Sequence, residues 1–349
     1  MNILQDFSLK PYNTFGINAA AKYFATFDSV DQLEECLAFL TPGTYHPQPE
    51  ATPPDPSPLI LGGGSNILFT KDFNGLVLKN EVKGIRLLRE DNDHVYLTAG
   101  AGENWHSFVQ YCIQKNLGGV ENLSLIPGNV GASPMQNIGA YGVEIKDVFH
   151  SLEAFHIRDR KLVAFGLDDC EFGYRESVFK RKYKNQFVIT SVTYKLNKQP
   201  VFNISYGAIQ QELENMGVTA LSIANISAAV IRIRSSKLPD PAVTGNAGSF
   251  FKNPEVSNEQ FSLLKDEFPS ILGYDLQNGR TKLAAGWLIE QCGWKGYRKG
   301  DAGCHAKQAL VLVNYGEARG NEIYDLSSEI IASVREKFKV ELEREVNVI

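Results

Sequence analysis

Two glycine-rich stretches hold the residue types best suited to grip a ligand. The first, Leu61-Gly-Gly-Gly-Ser-Asn66, lies between the apolar runs Leu59–Leu61 and Ile67–Phe69. Consecutive glycines let backbone N–H groups turn inward together, and such a nest binds a phosphate oxygen. A tight hairpin turn accounts for this stretch equally well. It is not a Rossmann fingerprint, because a strand follows it rather than a helix, and no GxxxxGK[ST] occurs anywhere. The second stretch, Leu125 to Gly142, gathers Gly128, Gly131, Gly139 and Gly142 with Ser133, Gln136 and Asn137. Small residues there admit a flat ligand to the backbone, and the amides anchor it; a structural Ω-loop is the alternative. Two separated loops of this kind suit a dinucleotide. His106 and His305 stand in no HxH, HExxH or His–carboxylate spacing, so they are read as packing or hydrogen-bonding residues and no metal is assigned. Ser249 has no adjacent His–Asp pattern and no GxSxG, which excludes an acyl nucleophile.

Further motifs stand in a fixed order. They are NTFGI at 13–17, GGGSN at 62–66, AGENWH at 101–106, IPGNVGASPMQNIGAYG at 126–142 and FGYRES at 172–177. KLPDP follows at 237–241, then GNAGSFFKNP at 245–254, KLAAGWLIEQCG at 282–293, QALVL at 308–312 and LEREV at 342–346. The set resembles the UDP-N-acetylenolpyruvoylglucosamine reductase (MurB) family, over nearly the whole chain outside one proline-rich loop.

The resemblance implies an NADPH-dependent, FAD-mediated reduction of UDP-N-acetylglucosamine enolpyruvate to UDP-N-acetylmuramate, in peptidoglycan precursor synthesis. It implies three catalytic residues. Arg175 would hold the substrate carboxylate as charge builds on it, Ser249 would donate the proton, and Glu345 is the third. For FAD, bound without a covalent bond, it points to Gly62, Gly63, Gly64, Ser65 and Asn66 at the pyrophosphate. Ser133, Gly139 and Gly142 would lie on the flavin side. For substrate it points to Tyr206, Lys237, Asn253 and Gln308, with Tyr206 on a loop covering the sugar nucleotide in the longer branch of the family. Two departures are Ala132, where relatives often have Ser, and Asn347, where they often have Arg. The rivals are another FAD-dependent oxidase or dehydrogenase of the same fold, or an inactive flavin- or sugar-nucleotide-binding module. The first would lack GNAGSFFKNP and the second would lose Arg175, Ser249 or Glu345, and all of these are present.

The elements that must position these residues follow from apolar periodicity. Leu33, Cys36, Leu37 and Leu40 give a helix, as do Trp105, Phe108, Val109, Cys112 and Ile113, and Ile223, Ile226, Val230 and Ile233. Strands are expected at Leu59–Leu61, Val95–Thr98, Phe187–Leu196, Gly248–Phe251, Ala309–Val313 and Val340–Val348. A helix is expected through Leu283–Cys292 and a long one from Ile323 to Phe338. In the terminal strand, alternation sets Leu342, Val346 and Val348 on one face and Glu341, Glu343 and Glu345 on the other. The rhythm is not that of a parallel βαβ sheet, so the class is α+β. The resemblance refines this to a two-subdomain FAD-binding fold of the vanillyl-alcohol-oxidase type plus a C-terminal α+β substrate-binding domain. The expected boundaries are 1–82, 83–238 and 239–349. Residues 42–58 hold seven of the 15 prolines and read as a surface loop.

Composition agrees with a globular enzyme. Of 349 residues, 43% are hydrophobic and 21% charged, and the net charge is −5. Without a polybasic run, neither nucleic acid nor a membrane surface is an expected partner. The partners are small molecules, and the chain is expected to be a cytoplasmic monomer. Five scattered cysteines read as reduced, buried thiols.

Overall fold

The computed structural model describes residues 2–40 and 55–349; most of the proline-rich stretch 42–58 lies outside the described residues. The chain divides into two compact units. One comprises residues 1–7, 21–63 and 74–236, and the other residues 8–20, 64–73 and 237–349.

The first unit is built on two sheets. A four-stranded sheet orders the strands as Leu4–Ser8, Ala20–Phe27, Phe73–Asn80 and Asp55–Leu61, the last two parallel. A five-stranded antiparallel sheet runs Lys161–Gly166, Phe149–His156, Phe187–Asn197, His94–Gly100 and Ile85–Glu90. The helix Trp105–Gln114 opens on Asn104, whose Oδ1 accepts from Ser107 N. Its apolar face buries Trp105, Phe108, Val109 and Cys112 against Tyr194, Leu196 and Val192 of the five-stranded sheet. Burial on this scale is worth about 1.5–3 kcal/mol for each large side chain. The helix Val30–Ala38 covers the four-stranded sheet through Leu33, Cys36 and Leu37. The helices Gly207–Asn215 and Ile223–Lys237 pair through Ile209, Leu213, Ile226 and Val230.

The second unit holds a four-stranded sheet, Gly245–Ser249, Val311–Asn314, Ala302–Cys304 and Arg298–Lys299. A three-stranded sheet and the helices Asn258–Glu267, Ala285–Gln291 and Gly320–Phe338 complete it. Backbone pairing explains why two early segments cluster with late ones. Asn246 N donates to Thr14 O at 3.0 Å and Asn314 Nδ2 to Phe15 O at 2.9 Å. Ile349 N donates to Leu68 O at 2.9 Å, and Thr70 N to Ile349 O at 2.8 Å. Residues 8–20 and 64–73 thus join the C-terminal unit, whereas the sequence reading kept them within 1–82.

The α+β class holds, and most expected elements form within a few residues of their expected bounds. Two differ. The strand expected at 248–251 is Gly245–Ser249, with Phe251 contributing only an isolated bridge to Arg344. The terminal strand expected at 340–348 shrinks to Asn347–Val348, paired in parallel with Ile67–Leu68. Leu342 and Val346 are buried as alternation requires, but Val348 is exposed. Among the described residues, no helix is long and apolar enough to cross a membrane.

Candidate functional site

In the first unit, the two glycine-rich loops meet backbone to backbone. A Cβ at Gly63 would lie 2.8 Å from Gly128 Cα, so this approach requires glycine. The Asn129 side chain fills in beside Gly62 and Gly63 and donates its Nδ2 to Gly102 O at 3.0 Å. Among the described residues, none of the amides of Gly62, Gly63, Gly64 and Ser65 donates to a protein acceptor. Consecutive N–H groups without a protein acceptor among the described residues are the donor type that a pyrophosphate needs, so the glycine run fits FAD. Ser133 does not face outward as a flavin contact would. It is 0% exposed, and its Oγ lies 2.7 Å from the Tyr194 hydroxyl. Its visible role is to tie the loop to the central strand Phe187–Asn197.

The 125–142 loop carries backbone strain. Leu125, Asn137 and Tyr141 all have φ between 44° and 58°, a region that costs non-glycine residues free energy. Specific partners hold each of them. Asn137 Nδ2 donates to Glu144 Oε2 and to Gly173 O, both at 3.0 Å. Leu125 N donates to His106 Nδ1 at 3.0 Å, and Leu125 O accepts from Arg234 Nε at 3.2 Å. His106 is therefore a hydrogen-bonding residue, as its lack of ligand spacing implied.

Arg175 sits in the tight turn Gly173–Glu176 with φ of 54°. Its Nη2 donates to Gly139 O at 2.6 Å. A Cβ at Gly139 would stand 3.0 Å from Arg175 Nη1, so the missing side chain makes room for the guanidinium. Arg175, Gly139 and the 125–142 loop are thus one local assembly.

Arg234 escaped the sequence reading. It lies one turn before Lys237 on the helix Ile223–Lys237 and hydrogen-bonds the Tyr141 hydroxyl. Burial pulls its guanidinium below the usual arginine range, Tyr141 partly offsets this, and the Arg175 charge lowers it further. Burial likewise raises Tyr141 and lowers His106, the latter with help from the Arg234 charge. The Tyr141 ring meets Tyr206 edge-on, with centroids 5.4 Å apart at 89°. Tyr206 is 48% exposed, at the start of the helix Gly207–Asn215. Two cations and two tyrosines therefore gather beside the 125–142 loop, suited to an anionic, partly apolar ligand.

In the second unit, Ser249 ends the strand Gly245–Ser249 opposite Val311 and is half-buried. The chain then runs alongside the C-terminal segment. Glu345 N donates to Phe250 O at 2.8 Å, and Lys252 N to Glu343 O at 2.9 Å. Ser249 and Glu345 are thus brought close through their backbones, and the face of three glutamates resolves. Glu341 and Glu343 are exposed, and Glu343 meets Lys252 Nζ at 2.6 Å; Glu345 is half-buried. Asn66 Nδ2 reaches Glu345 O at 3.4 Å, while Asn347 Nδ2 donates to Asn66 O at 2.9 Å. Asn347 is therefore fixed to the Asn66 backbone. Asn253 Oδ1 accepts from Ala285 N at 3.0 Å, at the opening of the helix Ala285–Gln291. Gln308 is half-buried, its Oε1 3.3 Å from Leu310 N, and Lys237 is exposed. Among the described residues, no cluster of three metal-ligating side chains occurs.

Comparison with known proteins gives the chain's family. Residues 240–349 match the family model of the UDP-N-acetylenolpyruvoylglucosamine reductase C-terminal domain, and residues 57–164 that of an FAD binding domain. A UDP-N-acetylenolpyruvoylglucosamine reductase of Amoebophilus asiaticus is 50% identical over 349 residues, covering 100% of both chains. One from Pseudomonas savastanoi pv. phaseolicola is 50% identical over 98% of this chain and 97% of its own. The crystal structure of the Thermus caldophilus reductase superposes with a TM-score of 0.63, at 24% identity over 99% of this chain and 98% of that one.

Proposed function

The chain belongs to the UDP-N-acetylenolpyruvoylglucosamine reductase family, and from that premise we propose how its own residues perform the family's reaction. It is an FAD-dependent oxidoreductase that reduces UDP-N-acetylglucosamine enolpyruvate to UDP-N-acetylmuramate for peptidoglycan synthesis. NADPH is the hydride donor. FAD held there would supply the hydride chemistry that links NADPH to the terminal alkene carbon of the substrate. Gly62, Gly63, Gly64, Ser65 and Asn66 would hold its pyrophosphate without a covalent bond; Gly139 and Gly142 would admit the flavin, with Ser133 buttressing their loop.

Hydride addition leaves negative charge on the neighbouring carbon and its carboxylate. Arg175 forks onto that carboxylate and strengthens its hold as the charge grows. Ser249 delivers one proton to the carbon; an enolate carbon is basic enough to take it from a positioned hydroxyl. Glu345, next to Ser249 through the Phe250 carbonyl, completes the proton path. Tyr206 covers the sugar nucleotide, and Lys237, Asn253 and Gln308 grip its phosphate and polar edges. Through its product the enzyme serves cell-wall growth, and so cell shape and division. It acts as a cytoplasmic monomer.

The observation that supports this reading best is the Glu345 N–Phe250 O bond, which sets two motif-matched residues side by side. The test is spectroscopic. Under anaerobic conditions NADPH should bleach the flavin absorbance, and the enolpyruvyl sugar nucleotide should restore it. Bleaching that this substrate does not reverse would point to another flavin dehydrogenase. Acid denaturation and filtration should send all yellow colour into the filtrate; colour held by the protein would mean a covalent flavin.

A further inference from the structure

The segment that bears Glu345 is short of regular structure. Between the end of the long helix at Phe338 and the two-residue ladder at Asn347, it makes one isolated bridge, Phe251 to Arg344. Two backbone bonds flank that bridge, Lys252 N to Glu343 O and Glu345 N to Phe250 O. With these few backbone bonds among the described residues, side chains take a large part in setting how the segment lies. Catalysis is sensitive to such placement, since an error of about 1 Å costs on the order of 10²-fold.

Arg344 ties the segment to the long helix by its side chain. Its Nε donates to Ser327 Oγ at 2.7 Å and its Nη2 to Ser328 Oγ at 2.6 Å. Its guanidinium also lies 4.4 Å from the centroid of Tyr324. All three partners belong to the helix Gly320–Phe338, and both serine hydroxyls in turn donate to Tyr324 O, at 2.6 and 3.1 Å. One planar guanidinium is thereby gripped at two nitrogens and one face, a fit that lysine cannot reproduce. Successive residues of extended chain project to opposite sides, so a side chain turned to the helix at 344 fixes which way 343 and 345 turn. Glu343 obeys this in meeting Lys252. By contrast, the nearby Arg335–Glu341 pair is exposed and 3.8 Å apart, the kind that contributes little.

We infer that Arg344 is a positioning residue for Glu345, clamping the C-terminal segment to the long helix so that the Glu345 carboxylate is held beside Ser249. The inference rests on the catalytic role proposed above for Glu345. Arg344 lines an open surface groove of about 480 Å³ with Tyr324, Ser328, Arg335 and Glu341. Shortening its head group therefore opens no core cavity, and variants should fold.

Three variants of the FAD-loaded enzyme test it: Arg344→Met, Arg344→Lys and Glu345→Gln, with the double variant of Met and Gln. Arg344→Met should slow flavin re-oxidation by the enolpyruvyl substrate about 10- to 100-fold, in line with a misplaced group. It should leave flavin reduction by NADPH within about twofold, because the clamp touches nothing that hydride transfer needs. Arg344→Lys should recover part of the loss. In the Glu345→Gln background, Arg344→Met should add less than about a twofold further loss, because it acts through a carboxyl already removed. Hydrogen exchange gives a readout apart from activity: the Glu345 amide should exchange at least about tenfold faster in Arg344→Met.

Full-rate re-oxidation in Arg344→Met, an undiminished further loss in the Gln background, or unchanged protection of the Glu345 amide would each overturn the clamp. If Glu345→Gln alone re-oxidises at the wild-type rate, the catalytic role of Glu345 falls and takes this inference with it. That outcome differs from a slow Glu345→Gln beside a normal Arg344→Met, which overturns only the clamp.

Discussion

Arg175 holds a left-handed backbone that costs a non-glycine residue about 1–3 kcal/mol, and its guanidinium is already hydrogen-bonded to Gly139 O of the 125–142 loop. Strain kept at such a place is worth keeping only for what the side chain does. Arg175→Lys keeps the charge and loses the planar fork, so substrate-driven flavin re-oxidation should fall at least about 10²-fold while flavin content stays normal; stopped-flow absorbance reads both. The motif match brought Arg175, Ser249 and Glu345 into view. It missed Arg234 because nothing within the sequence ties a helix residue to Tyr141 and Leu125, some hundred residues earlier; only folding brings them together. His106 carries a pH consequence. Its Nδ1 accepts from Leu125 N, so the folded state holds the ring neutral, and burial with Arg234 lowers its pKa. The unfolded chain therefore binds the extra proton, and stability present above the unfolded pKa of about 6.5 is lost as pH falls below it. His150 and His305 are lowered too and add to the same slope. His106→Asn, compared with wild type by denaturant unfolding at pH 7.5 and 5, should show a shallower loss, by up to about 1.4 kcal/mol per pH unit. Equal slopes would mean that His106 is not held neutral.

Among the elements, the apolar stripes of the helices at 105–114 and 223–237 were plain, because 3.6-residue periodicity survives any tertiary context. The end of the chain was not. Alternation of Leu342, Val346 and Val348 resembles a six- to nine-residue strand, yet only Asn347–Val348 finds a partner, the two-residue strand Ile67–Leu68 beyond GGGSN. Alternation reports which side chains are buried and says nothing about which edge offers backbone partners. The pairing has weight all the same. Asn347 N, Ile349 N and the Asn347 amide donate to the 66–68 backbone, and Thr70 grips Ile349 O through both its amide and its hydroxyl. Deleting residues 347–349 removes these bonds and frees Glu345 to fray. Several bonds at roughly 0.5–1.5 kcal/mol each should lower Tm by several degrees. Substrate-driven re-oxidation should slow with it, while the NADPH half-reaction changes far less. A melting curve unchanged by the deletion would mean that the terminal ladder contributes nothing.

At the scale of the whole molecule, the motifs carried the α+β class and the FAD-binding character, because glycine loops and strand signals are local. They did not show that Asn13–Ile17 and Asn66–Phe69 build the C-terminal unit, since those contacts join residues about 230 to 300 positions apart. Arg175 and the 125–142 loop belong to one unit, and Ser249, Glu345 and the LEREV segment belong to the other. The central claim is that Ser249 donates the proton and takes no part in accepting hydride from NADPH. Ser249→Ala removes one half-buried hydroxyl and should leave folding and flavin content near wild type. The most direct measurement is anaerobic stopped-flow absorbance of the flavin in that variant, with each half-reaction timed separately. Reduction by NADPH should proceed at the wild-type rate, and re-oxidation by the enolpyruvyl substrate should slow by about 10²–10⁴-fold, with Ser249→Cys recovering part of it. Equal slowing of both halves would make the serine structural, and no slowing of either would hand the proton to another group, with Glu345 first in line.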